Sequence, residues 1–173
     1  IVTSSRELAE HSRLLRKHGL ANRDEVIIWG CNSRLDSIQA VVGNHLLKEL
    51  TWITQRRIEI AQHYDTAFST LQDFIQVPVR HPEVHHVFHL YMLRVQQRNE
   101  LLKYLQEKGI EAKVHYPIPI HLQKAASSLG YKKGDFPQSE SDSECIITLP
   151  AHQHLSDEEV DYTIETVRSF YSG

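Results

Sequence analysis

Apolar residues recur through the middle of the chain at Leu35, Ile38, Val41, Val42, Leu46, Leu50, Ile53, Ile58, Ala61, Tyr64, Phe68 and Leu71, mostly three or four positions apart. That spacing predicts one helix of roughly 35 residues, weakest at Gly43. A helix of this length without heptad regularity is explained as one that leaves one domain and enters another. Upstream, Ile1-Val2-Thr3 reads as the end of a β-strand, and Ser4 with Glu7 as a capping box for a helix running to about His18-Gly19. Gly19 suits the left-handed position beyond a helix end. Downstream, Val87, His89, Tyr91, Leu93 and Val95 alternate with Phe88, Leu90, Met92 and Arg94, which predicts a buried strand. Arg98 to Lys108 reads as a short helix with Leu101, Leu102, Tyr104 and Leu105 inward and Gly109 as its stop. Ile110 to His115 and Ile146 to Pro150 read as two further strands. Ser156 with Glu159 caps a final helix through Val160, Ile164, Val167 and Phe170. Between them, Tyr116 to Ser143 is rich in Pro, His, Ser, Gly and Lys, a loop excursion of the kind that often carries function. The order predicts an α+β fold, helices packed on a small sheet.

Composition narrows the class. The chain has 173 residues, 40% of them hydrophobic, and a formal charge of −3, enough for one domain or one and a part. Its 19 Lys and Arg against 22 Asp and Glu leave no basic excess, so neither nucleic acid nor an anionic membrane is an expected partner. No apolar run approaches the roughly 20 residues that span a bilayer, and the expected location is the cytoplasm. Cys31 and Cys145 lack framework spacing and are read as free thiols. The 12 His residues raise the question of a metal, above all at His81, His85, His86, His89, His152 and His154. On a strand, His86 and His89 would face opposite sides, and His85 and His89 would stand roughly 13 Å apart, so no metal site is expected. Neither a nucleophile elbow nor a glycine-rich phosphate loop is present.

Two stretches could carry chemistry. Gly30-Cys31-Asn32-Ser33-Arg34-Leu35-Asp36 precedes the long helix. Asn32 and Asp36 there could simply cap the helix, with Arg34 in a surface ion pair, or an amide and a guanidinium could together hold an anion. In His115-Tyr116-Pro117-Ile118-Pro119-Ile120-His121 two prolines stiffen a segment with an imidazole at each end. It is either a rigid turn with exposed rings or a ligand contact.

The run Gly30 to Ala40, then Trp52, Arg56-Arg57 and Ile60-Ala61-x-x-Tyr64, resembles the sugar aminotransferases of the DegT/DnrJ/StrS family. His89-Leu90-Tyr91, Gly109-Ile110, His115 to His121, Gly134-x-Phe136-Pro137-x-x-Glu140 and Leu149-Pro150 continue the resemblance in order and spacing over essentially the whole chain. Val41 and Cys31 replace a commoner Ala and aromatic residue. The resemblance implies a fold type I pyridoxal 5′-phosphate enzyme, a homodimer, that moves an amino group from glutamate to a nucleotide-linked keto-sugar. It implies that residues 1–34 are the tail of the large cofactor domain, 35–71 the interdomain helix and 72–173 the C-terminal small domain. It further implies that Asn32 and Arg34 reach the cofactor phosphate of a partner subunit, and that His115, Tyr116 and His121 contact the nucleotide-sugar. Lys17, Lys48, Lys103, Lys108, Lys113, Lys124, Lys132 and Lys133 all fall outside the motif of the Schiff-base lysine, so no catalytic residue is assigned. The expectation is a C-terminal fragment, inactive alone, with exposed apolar surface that favours self-association. The competing reading is a stand-alone, non-catalytic nucleotide-sugar-binding or dimerisation module.

Overall fold

The computed structural model describes residues 1–172 and divides into two compact units, Ile1–Glu49 and Leu50–Gly173. In the first unit, helix α1 spans Arg6–Leu15. Its cap is Ser5 rather than Ser4, with the Leu8 N–H donating to Ser5 Oγ at 3.3 Å. The helix stops short of Gly19 because the chain turns through left-handed His18 (φ 61°) and Gly19 (φ 77°). Ile1 to Thr3 is exposed and forms no strand, since no described segment pairs with it.

Beyond the turn the chain doubles back along the end of α1. The His18 N–H donates to Cys31 O (3.1 Å), Cys31 N–H to Leu15 O (2.9 Å), Ser33 N–H to Arg16 O (3.1 Å) and Ile27 N–H to Gly19 O (3.0 Å). The two backbones meet at glycine: a Cβ on Gly19 would lie 1.6 Å from Ile28 O, and one on Gly30 2.6 Å from both Gly19 N and Leu15 O.

Helix α2, Ser37–Phe68, runs 32 residues unbroken through Gly43. Its C-terminal half buries Ile60, Ala61, Tyr64, Ala67 and Phe68, one stripe at helical spacing. Its N-terminal half buries nothing and exposes Ile38, Val41, Val42, Leu46 and Leu47.

The second unit is built on a three-stranded antiparallel sheet in the order β1 (Ile75–Gln76), β2 (Tyr91–Val95), β3 (Ile146–Leu149). Register pairs Ile75 with Val95 and Tyr91 with Leu149. Tyr91, Leu93 and Val95 point into the core, as the alternation predicts. The strand begins at Tyr91 and not at Val87. Phe88 is left-handed (φ 47°), and the Arg57 guanidinium takes the carbonyls of Phe88 (3.1 Å) and His89 (3.0 Å). The expected strand Ile110–His115 reduces to one bridge, Lys113 with Thr148. Helix α3 is Arg98–Glu107, ended by left-handed Gly109, and helix α5 is Asp157–Ser172. The capping box opens α5 as predicted, with Glu159 N–H to Ser156 Oγ at 3.2 Å and Ser156 N–H to Glu159 Oε2 at 2.9 Å. The segment read as a long loop holds two short 3₁₀ turns, Ile120–Leu122 and Lys124–Leu129, and helix α4, Pro137–Cys145.

The core joins the C-terminal half of α2, the sheet, α3 (Leu101, Leu105) and α5 (Val160, Ile164, Val167). Tyr64 lies between Phe68 and Tyr91, ring centroids 5.8 and 4.8 Å away, and donates its hydroxyl to Pro150 O at 2.9 Å. Burial pushes the Tyr64 phenol up to about 12. Next to it, Asp65 accepts two bonds from Arg80, each 3.0 Å, and the Tyr91 hydroxyl at 2.8 Å. Burial, then the Asp65 carboxylate, hold the Tyr91 phenol far above its usual value. Among the described residues, no helix is long and apolar enough to cross a membrane.

Candidate functional site

The first candidate lies where the returning strand-like segment runs into α2. Asn32 is held by its bridge to Lys17, and two residues later Arg34 turns back so that Nε donates to Asn32 Oδ1 at 3.0 Å. Both side chains are exposed. The contact occupies the amide oxygen, the only acceptor of the pair, and leaves the Asn32 Nδ2 hydrogens and the two Arg34 Nη groups without a partner among the described residues. The result is a cluster of free side-chain donors, chemistry that fits a phosphate. Asp36 does not compete for Arg34. Its backbone N–H donates to Gln39 Oε1 at 3.1 Å, at the start of α2.

The second candidate is a cleft of about 770 Å³ in the Leu50–Gly173 unit, and His115, Tyr116 and His121 all line it. Leu90, Met92, Ile118 and Phe136 supply much of its apolar wall. His115 follows the Lys113 bridge, and its Nδ1 lies 2.9 Å from Thr148 Oγ1. Tyr116 is left-handed (φ 57°) directly before Pro117, a backbone disfavoured on both counts, and its ring is 83% exposed. His121 is fixed differently. Its Nε2 lies 2.9 Å from Glu140 Oε1, both side chains are nearly buried, and its ring packs on Phe136 at 4.7 Å.

Glu140 ties the cleft together. Its carboxylate accepts the Gly134 N–H at 2.8 and 3.0 Å and the Phe136 N–H at 3.5 Å. The Gly134 N–H above all, with His121, holds the carboxyl below its ordinary range. This explains the pattern Gly134-x-Phe136-Pro137-x-x-Glu140 physically. Gly134 takes a left-handed turn (φ 97°), Pro137 starts α4, and Glu140 reaches back one turn to gather the loop. Asp142 on α4 pairs with Arg94 on β2, which fastens the helix to the sheet.

The histidines weighed for a metal do not sit on a strand, as that reading supposed. His86 Nδ1 instead accepts the Phe88 N–H at 3.0 Å. Among the described residues, no group of three or more His, Cys, Asp or Glu is placed to hold a metal ion. Thr148 and Glu140 were not singled out as site residues from sequence. Thr148 reads as strand filler, and only the partner each one touches reveals its place.

A small antiparallel sheet with helices packed against it defines the class of the Leu50–Gly173 unit: a mixed α and β fold with a histidine-rimmed cleft. The chain belongs to the DegT/DnrJ/EryC1/StrS aminotransferase family, whose model matches residues 1–168. It is 36% identical over 172 residues to the pleiotropic regulatory protein of Geobacillus stearothermophilus, covering 99% of this chain and 46% of that protein. To the dTDP-3-amino-3,6-dideoxy-alpha-D-galactopyranose transaminase of Aneurinibacillus thermoaerophilus it is 37% identical, over 98% of this chain and 46% of the relative. The crystal structure of S. venezuelae DesV in complex with a ketimine intermediate superposes with a TM-score of 0.93 at 34% identity, over 99% of this chain and 46% of that one. The chain thus spans about half the length of the proteins it matches.

Proposed function

We propose that this chain supplies the C-terminal part of a pyridoxal 5′-phosphate-dependent aminotransferase that aminates a nucleotide-linked keto-sugar for glycan biosynthesis. The reading rests on family membership over residues 1–168 together with the convergence of His115, Tyr116 and His121 on one cleft. Residues 1–34 are read as the tail of a large cofactor domain, 35–71 as an interdomain helix and 72–173 as the small domain. The cofactor, when bound, supplies the electron sink through which an amino group moves between donor and acceptor. This chain's part is to bind and orient. Asn32 Nδ2 and the Arg34 guanidinium hold the phosphate end of the cofactor in the partner subunit of a homodimer, with Arg34 Nε steering the amide. His115, Tyr116 and His121 face the sugar substrate, and glutamate is the amino donor. None of the chain's own lysines is assigned the covalent link to the cofactor, so activity requires the half that the relatives carry beyond the match.

Two experiments on the full-length protein test this. Asn32→Ala should weaken retention of pyridoxal phosphate by roughly ten- to a hundredfold, the scale of a lost hydrogen bond to a charged group; unaltered retention removes the assignment. His115→Ala should raise the sugar-substrate KM or lower kcat, and intact values for both would end its role as a substrate contact.

A further inference from the structure

Thr148 is a buried polar residue on β3 whose hydroxyl has no part in the sheet, and it stands where it can control a residue of the cleft. Ile147 and Leu149, on either side, are both buried in the core, so the two-residue period of the strand turns Thr148 to the opposite face. Its backbone is held from both directions. Met92 is its partner in the β2 register, while its N–H donates to Lys113 O at 2.8 Å and its carbonyl accepts the Lys113 N–H at 3.1 Å. His115 follows two residues after Lys113, which brings its ring to the same side. Nδ1 lies 2.9 Å from Thr148 Oγ1.

The direction of that hydrogen bond follows from counting partners. Thr148 is 6% exposed, and among the described residues its hydroxyl makes no other hydrogen bond. Were Oγ1 to accept a hydrogen bond from Nδ1–H, its own hydrogen would be left buried with no acceptor, an unfavourable arrangement. Were Oγ1–H to donate to Nδ1, both groups would be satisfied. A neutral imidazole that accepts at Nδ1 carries its proton at Nε2, and no described residue bonds to His115 Nε2.

We propose that Thr148 is a positioning residue that fixes His115 as the Nε2–H tautomer, so that the cleft offers a neutral N–H donor to an acceptor oxygen of the ligand. The ligand half of this statement rests on the reading of His115 as a substrate contact; the tautomer half does not. Thr148 would then act through His115, touching no substrate itself.

The test is ring 15N–1H correlation NMR of the labelled chain, with the His115 signals identified by their loss in His115→Gln. The parent chain should show the Nε2–H pattern. Thr148→Ser, which keeps the hydroxyl, should retain it, and Thr148→Val, of similar shape without the hydroxyl, should lower the ratio of Nε2–H to Nδ1–H about tenfold. A parent chain dominated by Nδ1–H overturns the inference without recourse to any variant, and so does a Thr148→Val spectrum that matches the parent. Because the His115→Ala kinetics decide the substrate contact separately, a failure there cannot be confused with a failure of the tautomer assignment.

Discussion

Tyr116 joins a left-handed backbone (φ 57°), a following proline and an 83% exposed ring. A strained residue that buries almost nothing is one whose conformation serves something other than stability. Tyr116→Gly should therefore leave stability unchanged or raise it by up to ~1 kcal/mol in a denaturant melt, while weakening nucleotide-sugar binding to the full-length protein. A clear loss of stability in that variant would show that the ring is structural. The carboxylate of Glu140 makes a prediction of the opposite kind. Its pKa is lowered in the fold, chiefly by the Gly134 N–H, so its contribution is present above the ordinary carboxylate value and is lost as pH falls through the lower folded value. The 134–136 loop should stay protected from amide exchange at mildly acid pH and open only in stronger acid. In Glu140→Gln protection should be weaker at neutral pH and should lose this acid step. Neither role was legible from residue type alone. His115, Tyr116 and His121 could be picked out as candidates; Glu140 stood in a recognisable motif without a role, and Thr148 becomes visible only through what it touches.

Among the elements, those with strong periodicity or caps were legible and those defined by neighbours were not. The long helix appeared because apolar residues repeat at three and four over its whole length, and α5 because Ser156 and Glu159 make a reciprocal cap. β1 has two residues, too few to alternate, and α4 reads PQSESDSEC, with no apolar face to betray it. The strand prediction overran to Val87 because alternation continues through residues whose carbonyls go to Arg57 instead of a neighbouring strand. Ile110 to His115 likewise has strand composition but only one paired position. The turn after α1 gives the sharpest test at this scale. Gly19→Ala puts a Cβ on Ile28 O and forces φ 77° on a residue with a side chain, so it should cost at least about 2 kcal/mol. A Gly19→Ala chain with the parent's amide protection at Cys31 and Ser33 would mean that the turn is not built as described.

At the scale of the whole molecule, the core of the Leu50–Gly173 unit has a signature in alkali. Tyr64 is raised to about 12, so its contribution to stability is complete below the free tyrosine value near ~10 and is lost as pH rises through the folded value. Tyr91, also raised by burial, acts in the same direction. Stability should fall above roughly pH 10, and Tyr64→Phe should make the fall shallower while removing the bond to Pro150, worth ~1 kcal/mol at neutral pH. The N-terminal half of α2, by contrast, exposes Ile38, Val41, Val42, Leu46 and Leu47 around much of its girth, a composition suited to burial. The sequence pattern could reveal that this helix exists and that its first half is apolar on several sides. What covers that half is not encoded in any local pattern.

The central claim is that this chain holds the cofactor's phosphate and faces the sugar but does not form the covalent link to the cofactor. Incubating the 173-residue chain with pyridoxal phosphate, reducing with borohydride and mapping adducts by intact and peptide mass tests it most directly. The account predicts no stoichiometric adduct at any single lysine. A stoichiometric adduct confined to one lysine would contradict it, because the chain would then be building a complete cofactor site from its own residues.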